Sequence, residues 1–192
     1  MDTFKDLPVM PFESADAWRA WLDAHHAESG GVWVRIHKKA SGRPTVTYAE
    51  ALDEALCYGW IDSTKASWDE TSFLQRFSPR KARSVWSQVN RDHVARLTEA
   101  GKMRPAGQKA IDEAKADGRW DAAYAPASRM TVPDDLQAAL DASPEAKAHF
   151  ETLNKANRYA ILYRVQAVKK AETRLKRIAW AIDLLSKRQT IH

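Results

Sequence analysis

The sequence predicts an α+β fold, in which a small antiparallel sheet packs with helices and is followed by a C-terminal α-helical subdomain. Residues 32–39, 60–65 and 71–77 have the length and composition of short strands. After residue 134, apolar side chains recur every three or four positions, as in amphipathic helices. We therefore expect an α+β domain over 1–120, a linker within 121–133, and a helical subdomain over 134–192 packed on the first as one compact body.

The first elements are predicted from capping residues and periodicity. Ser14 can cap a helix that ends before Gly30, and alternating residues from Val32 onward indicate a strand. Thr47 and Glu50 have the spacing of a capping box, which predicts a second helix that stops at Gly59.

The next elements complete the sheet and return to helix. Strands over 60–65 and 71–77 are joined by a turn near 68–70. Beyond Pro79 the spacing becomes helical from near Ser84, and we expect one core-facing stripe formed by Trp86, Val89, His93, Val94 and Leu97. Four further helical segments follow in the C-terminal third, and the last is expected to bury Leu175, Ile178, Ala179, Ile182 and Leu185.

Positive charge is concentrated in two segments of this chain, whose net charge is +5. Residues 76–96 carry six basic residues against one acid, and residues 155–188 carry ten against two. Such asymmetry favours an anionic partner, either a small phosphate-bearing or carboxylate ligand or a nucleic acid. The alternative is that these side chains only solvate helix faces.

Several features indicate the cytoplasm. Residues 1–12 lack the basic and apolar regions of a secretory signal, and no stretch approaches the roughly 18 apolar residues of a membrane span. A lone cysteine, Cys57, suits a reducing compartment. We therefore expect a cytoplasmic protein without a transmembrane segment; the sequence carries no signal for its oligomeric state.

Familiar catalytic signatures are absent from the sequence, including phosphate-binding glycine loops and paired cysteines. The six histidines show no metal-ligand spacing, so we predict neither a metal site nor a cofactor. Cys57 is interpreted as a packed small hydrophobe. Asp62 is a candidate acid, base or orienting group at the mouth of a pocket, or alternatively the cap of a turn.

The junction over residues 75–90 is the main candidate site. It leaves a strand, passes Pro79 and enters a helix N-terminus, where free N–H groups and the helix dipole attract anions. Alternatively, Ser84 or Ser87 only caps the helix, and the arginines pair with carboxylates elsewhere. The predicted ligand-binding residues are Trp60, Asp62, Arg76, Arg80, Ser84, Ser87 and Asn90.

Several motifs in order resemble the YdeI/OmpD-associated family, also called bacteriocin-protection proteins. They are Ala55–Asp62, Gln75–Arg80 with Trp86, Ser87 and Asn90, Gly101–Gly107, Ala156–Leu162, and Glu172–Arg174. Together they span nearly the whole chain. The resemblance implies a role in protection against bacteriocins or antimicrobial peptides, which we expect to be exerted from inside the cell. It transfers no catalytic residues.

Three functions therefore compete. The first is a noncatalytic cytoplasmic stress-protection protein that binds an anionic ligand or partner through a basic and aromatic surface around residues 76–90. The second is a small enzyme that acts on a small anionic substrate through Cys57, Asp62, Arg76 and Arg80, in a pocket between sheet and helices. The third is a nucleic-acid-binding protein, favoured by a pI near 9.3 and by tryptophans able to stack on bases.

Overall fold

A five-stranded sheet lies in the first of two units, Met1–Ala123 and Tyr124–His192, into which the chain divides. The computed structural model describes residues 2–168 and 170–192. The strand order is β1-β2-β3-β5-β4, and only β2 and β3 run parallel among neighbours. The strands are β1 (Thr3–Phe4), β2 (Leu7–Pro11), β3 (Val32–His37), β4 (Trp60–Ser67) and β5 (Ser72–Pro79).

The sheet is larger than the sequence indicated, because two strands precede the first helix. Pro8 and Pro11 give this segment the composition of a loop, since proline cannot donate a ladder hydrogen bond. Strand β2 nevertheless pairs with both β1 and β3, and its parallel partner β3 makes the sheet mixed rather than wholly antiparallel. The three predicted strands are present as β3, β4 and β5.

Helices of the first unit cover one face of this sheet. They are α1 (Ala15–His25), α2 (Tyr48–Cys57), α3 (Gln88–Glu99) and α4 (Pro105–Ala116), with a short 3-10 turn at Lys39–Ser41. Thr47 and Glu50 form the expected capping box at α2. Trp18 and Leu22 of α1 pack with Val34 and Phe77 of the sheet in a single buried cluster, so helix docking and sheet formation share one core.

The third helix begins later than predicted and buries fewer of the expected residues. Ser87 is its N-cap, so Trp86 precedes the helix, although the Trp86 side chain is buried. Val94 and Leu97 lie in the core as expected. The prediction for Val89 is wrong, because its side chain is 37% exposed.

The second unit consists of four helices around their own core. They are α5 (Asp134–Asp141), α6 (Pro144–Thr152), α7 (Lys155–Gln166) and α8 (Ala171–Ser186). Ile178 and Leu185 are buried as predicted, whereas Leu175 is 66% exposed and does not belong to the buried stripe. The α+β fold class with a helical C-terminal region is thus confirmed. No described helix has the length and apolarity that a membrane crossing requires.

Candidate functional site

The face of the sheet opposite the helices carries a second, smaller apolar cluster. Side chains alternate along a strand, so Val32 and Val34 pack on the helices while Trp33 points to the other face. Trp33 lies directly across from Arg76 of β5. Val9, Trp33 and Leu74 are buried in this cluster.

Aromatic packing holds Trp33 in place. The Phe4 ring meets it edge-on with 5.1 Å between ring centroids. Phe4 also contacts Trp68 edge-on at 6.2 Å, and Leu7 packs against the same cluster. Only 2% of Trp33 is exposed, so the short strands β1 and β2 serve to enclose this indole.

A pocket of about 400 Å³ opens beside this tryptophan. It is lined by Lys5, Asp6, Leu7, Trp33, Thr64 and Arg76, and we call it the sheet pocket. Lys5 and Asp6 form the turn between β1 and β2, and both have positive φ, at 47° and 63°. Two consecutive left-handed residues are the geometry of a tight hairpin turn, which places both charged residues at the pocket.

Two donors in the sheet pocket lack acceptors. The Arg76 Nε and the Trp33 Nε1 are buried, and neither has a hydrogen-bond partner among residues 2–168 and 170–192. The Arg76 guanidinium also forms no ion pair with these residues. A buried donor left without an acceptor destabilises a fold by about 1–3 kcal/mol, more when the group is charged.

Arg35, on the same face of the sheet, has the hydrogen-bond acceptors that Arg76 lacks. Arg35 donates from Nε to Ser72 Oγ at 3.0 Å and from Nη2 to Asp69 Oδ2 at 2.7 Å. Hydrogen bonds from Ser72 and Thr71, together with the Arg35 charge, hold the pKa of Asp69 far below its usual range. Arg35 thus belongs to a closed polar network, unlike Arg76.

Asp62 and Trp60 lie on the helix-covered side, away from Arg76. Asp62 is opposite Phe77 and accepts a hydrogen bond from the Tyr48 hydroxyl at 2.8 Å. Trp60 is buried in the main core, and its Nε1 donates to the carbonyl of His26 at 3.2 Å. The sheet therefore separates Asp62 and Trp60 from Arg76, although all three were predicted to belong to one site.

The remaining predicted residues lie in the connection to α3. The Arg80 guanidinium lies 3.5 Å from the centre of the Trp86 ring and donates to the carbonyl of Val85 at 3.2 Å. Ser84 Oγ accepts the Lys81 N–H at 2.9 Å, and Ser87 Oγ accepts the Asn90 N–H at 3.0 Å. Both serines thus make the local turn and cap bonds that formed the alternative interpretation. The predicted set is spread over three places, and its ligand-binding role stays a prediction.

Cys57 is packed as the sequence indicated. Its side chain is 1% exposed, and burial together with the charges of Glu54 and Asp53 raises the pKa of the thiol to about 11. A thiol in this environment is protonated at neutral pH and is a poor nucleophile. This placement gives Cys57 a structural role.

Sequence reasoning missed a polar cluster between α2 and α3. His93 Nδ1 lies 2.7 Å from Asp53 Oδ1, and Arg96 Nη2 donates to both carboxylate oxygens at 2.7 Å. Although burial opposes it, the hydrogen bonds from Arg96 and His93 lower the pKa of Asp53. The sequence shows only that His93 and Arg96 have the spacing of one helix face. Their partner Asp53 could not be identified, because it lies 40 residues before His93. The described part of the chain brings together no group of three or more His, Cys, Asp or Glu side chains suited to a metal ion.

The glycines of the first-unit motifs permit a close approach between helices. Gly59 has φ +72°, and a Cβ there would lie 2.9 Å from the carbonyl oxygen of Ala106. A Cβ at Gly107 would overlap the carbonyl oxygen of Cys57, which accepts the Arg104 N–H at 3.1 Å. These motif residues are therefore explained by packing at the start of α4.

The second-unit motifs also have structural roles. Asn157 is buried, and its Oδ1 accepts the N–H groups of Ile191 and His192 at 2.8 and 2.9 Å. Arg174 forms a two-pronged ion pair with Asp135 and donates to the carbonyl of Val165, which ties α8 to α5 and α7. The motif side chains thus fasten the helical unit together.

Comparison with known proteins assigns different families to the two units. Residues 10–110, more than half of the chain, match the family model described as a domain of unknown function, DUF8412. Residues 129–188 match the model described as Bacteriocin-protection, YdeI or OmpD-Associated, which confirms the suspected family for this segment. The motifs between Ala55 and Gly107 fall in the other match. No curated protein and no solved structure matches the chain significantly. The chain therefore belongs to the DUF8412 family, and its C-terminal segment matches the bacteriocin-protection, YdeI/OmpD-associated model.

Proposed function

We propose that this protein is a cytoplasmic, bacteriocin-protection-associated protein that binds a small carboxylate or phosphate ligand in the sheet pocket. The C-terminal family match supports the protective role. The binding role rests on Arg76, because its guanidinium lines the sheet pocket and forms no ion pair with the described residues. Trp33 contributes a second buried donor next to it.

The charges around the sheet pocket suit a small ligand. Lys5 and Arg76 bring two positive charges, and Asp6 brings one negative charge. The net charge favours an anion, while Asp6 also offers an acceptor to a ligand that carries an amino group. A volume of about 400 Å³ matches a metabolite and lies at the low end of typical ligand sites.

The two rival functions receive less support. Cys57 is enclosed in the core, and Asp62 and Arg76 lie on opposite faces of the sheet, so the residues of the enzyme hypothesis do not converge. The basic segment over 76–96 is also dispersed. Arg96 pairs with Asp53 and Arg91 donates to the carbonyl of Trp120, which removes these cations from a shared nucleic-acid surface.

The proposal is tested by screening the full-length protein against carboxylates, phosphates and amino acids by thermal shift, followed by calorimetry. A ligand that binds only the folded state raises its melting temperature. We expect Arg76→Gln to weaken binding of the identified ligand at least tenfold, as loss of a charge-assisted hydrogen bond does.

Arg43→Gln is the matched control, since it removes one exposed positive charge from the same unit. Affinity should be unchanged in this variant. Equal affinities of the wild-type protein and Arg76→Gln for every ligand found would exclude the sheet pocket. Affinity should depend only weakly on salt, whereas a nucleic acid that neutralises several phosphates would give a steep log–log slope.

A further inference from the structure

The helical unit contains a second cavity with a different character. A groove of about 750 Å³ lies between residues 127–132 and helix α7. Its walls include Met130, Val132, Lys155, Arg158, Tyr159 and Leu162. The side chain of Gln166 donates to the carbonyl of Thr131 at 2.8 Å and fastens the segment to the end of the helix.

Polar and apolar groups are ordered along this groove. Lys155, Arg158, Tyr159 and Leu162 follow the spacing of one helix face, so they form a row on α7. The two cations come first, the phenol follows, and the leucine is last. At 1.5 Å per residue, this row spans about 10 Å. One end of the groove is therefore cationic and the other apolar.

The polar groups of this row lack protein partners. Within residues 2–168 and 170–192, no hydrogen bond or ion pair joins the Lys155 ammonium, the Arg158 guanidinium or the Tyr159 hydroxyl to another residue. The Arg158 guanidinium lies 4.6 Å from the centre of the Phe150 ring, which positions it without neutralising it.

Several other cations of the same unit are paired. Arg174 bonds to Asp135, Lys147 to Asp141, and Lys176 to Glu172. The groove differs from these pairs, because its two cations share one cavity and form no ion pair with the described residues.

The apolar end is built from core residues. Leu162 is buried in the core of the unit, and Met130 and Val132 are half-buried against the same cluster. These side chains provide a wall for a hydrocarbon chain, since transfer of apolar surface from water into such a site is favourable.

From this arrangement we infer that the groove binds a single-chain amphiphilic anion, such as a medium-chain fatty carboxylate. Its carboxylate would pair with Arg158 and Lys155 and accept the Tyr159 hydroxyl proton in a hydrogen bond. Its chain would lie along Leu162, Met130 and Val132. This inference does not depend on the sheet pocket, which lies in the other unit.

The test is calorimetric titration of the full-length protein with decanoate below its micellar concentration. Decylammonium and acetate serve as comparison probes, because the first reverses the head charge and the second lacks the tail. We expect decanoate to bind at least tenfold more tightly than either. Arg158→Gln and Met130→Ser should each weaken decanoate binding severalfold or more, at opposite ends of the groove.

Two controls separate this site from other effects. Arg177→Gln removes an exposed cation from α8, and Arg76→Gln disables the sheet pocket; decanoate affinity should be unchanged in both. Melting curves of each variant verify folding. The inference is overturned if decylammonium binds as well as decanoate, if Arg158→Gln and Met130→Ser leave affinity unchanged, or if the protein binds phosphatidylglycerol vesicles but not monomeric decanoate.

Discussion

At the scale of single residues, Arg76 and Arg35 show how neighbours of one type acquire different roles. Both lie on the same face of the sheet, but Arg35 is enclosed in a network with Ser72 and Asp69. Arg76 faces a cavity and leaves its buried Nε without an acceptor. A buried donor without an acceptor carries a free-energy cost in a native fold, which distinguishes Arg76 from Arg35.

This difference predicts opposite effects on stability and binding. Arg76→Met keeps much of the side-chain volume and removes the unsatisfied cation. Without ligand, its free energy of unfolding should therefore equal or exceed that of the wild-type protein. Ligand binding should be lost. Arg35→Met should instead lower the free energy of unfolding, because it removes the hydrogen bond to Ser72 and the ion pair with Asp69.

Urea unfolding of both variants, with and without ligand, measures these effects. A stability loss in Arg76→Met as large as that in Arg35→Met would assign Arg76 to the scaffold rather than to a binding site.

At the scale of elements, the local sequence predicted some helix boundaries well and some strands poorly. The capping box of Thr47 and Glu50 fixes the start of α2 and was recognised directly. Strands β1 and β2 were missed, because two prolines obscure a pairing that depends on residues more than twenty positions away. The place of Trp33 in a pocket could not be predicted either, because β1 and β2 enclose it. The candidate site was thus predictable only at Arg76.

The junction of α2 and α4 provides a test at this scale. Alanine favours a helix interior over glycine by about 1 kcal/mol, so Gly107→Ala should stabilise α4 if packing were irrelevant. The structure predicts the reverse, because the new methyl group would overlap the carbonyl of Cys57. We expect a net destabilisation of about 1–3 kcal/mol from overpacking.

Thermal unfolding of Gly107→Ala decides the sign. Gly30→Ala is the control, since a Cβ there meets no atom within 4 Å and the backbone is not left-handed. An increase in melting temperature for Gly107→Ala would contradict the close approach of α2 and α4.

At the scale of the whole molecule, the two units differ in what stabilises them. The first unit gathers tryptophans into apolar cores on both faces of a sheet. The second unit packs four helices around an apolar core, to which Arg174 adds polar bonds from α8 to α5 and α7, and Asn157 adds polar bonds to Ile191 and His192. The helical periodicity of the second unit made its architecture predictable. Its polar bonds from Arg174 to Asp135 and from Ile191 and His192 to Asn157 were not, because each joins residues more than thirty positions apart. That the two units pack as one body stays a prediction.

Alkaline pH should destabilise the protein through the first unit. Burial raises the pKa of the Cys57 thiol to about 11, and burial together with the hydrogen bond to Asp23 raises the pKa of the Tyr58 hydroxyl to about 12. Their ordinary values are 9 and 10, so above pH 9 the folded state binds more protons than the unfolded chain. The corresponding stabilisation is complete below pH 9 and is lost as pH rises towards 11 and 12. Melting temperatures between pH 7 and 11 should therefore fall above pH 9.

The Cys57→Ala variant tests the contribution of the thiol. Its free energy of unfolding should be about 1 kcal/mol lower at neutral pH because of weaker packing, yet its melting temperature should decline less steeply between pH 9 and 11. An identical decline in the variant would mean that the Cys57 thiol ionises as readily in the folded protein as in the unfolded chain.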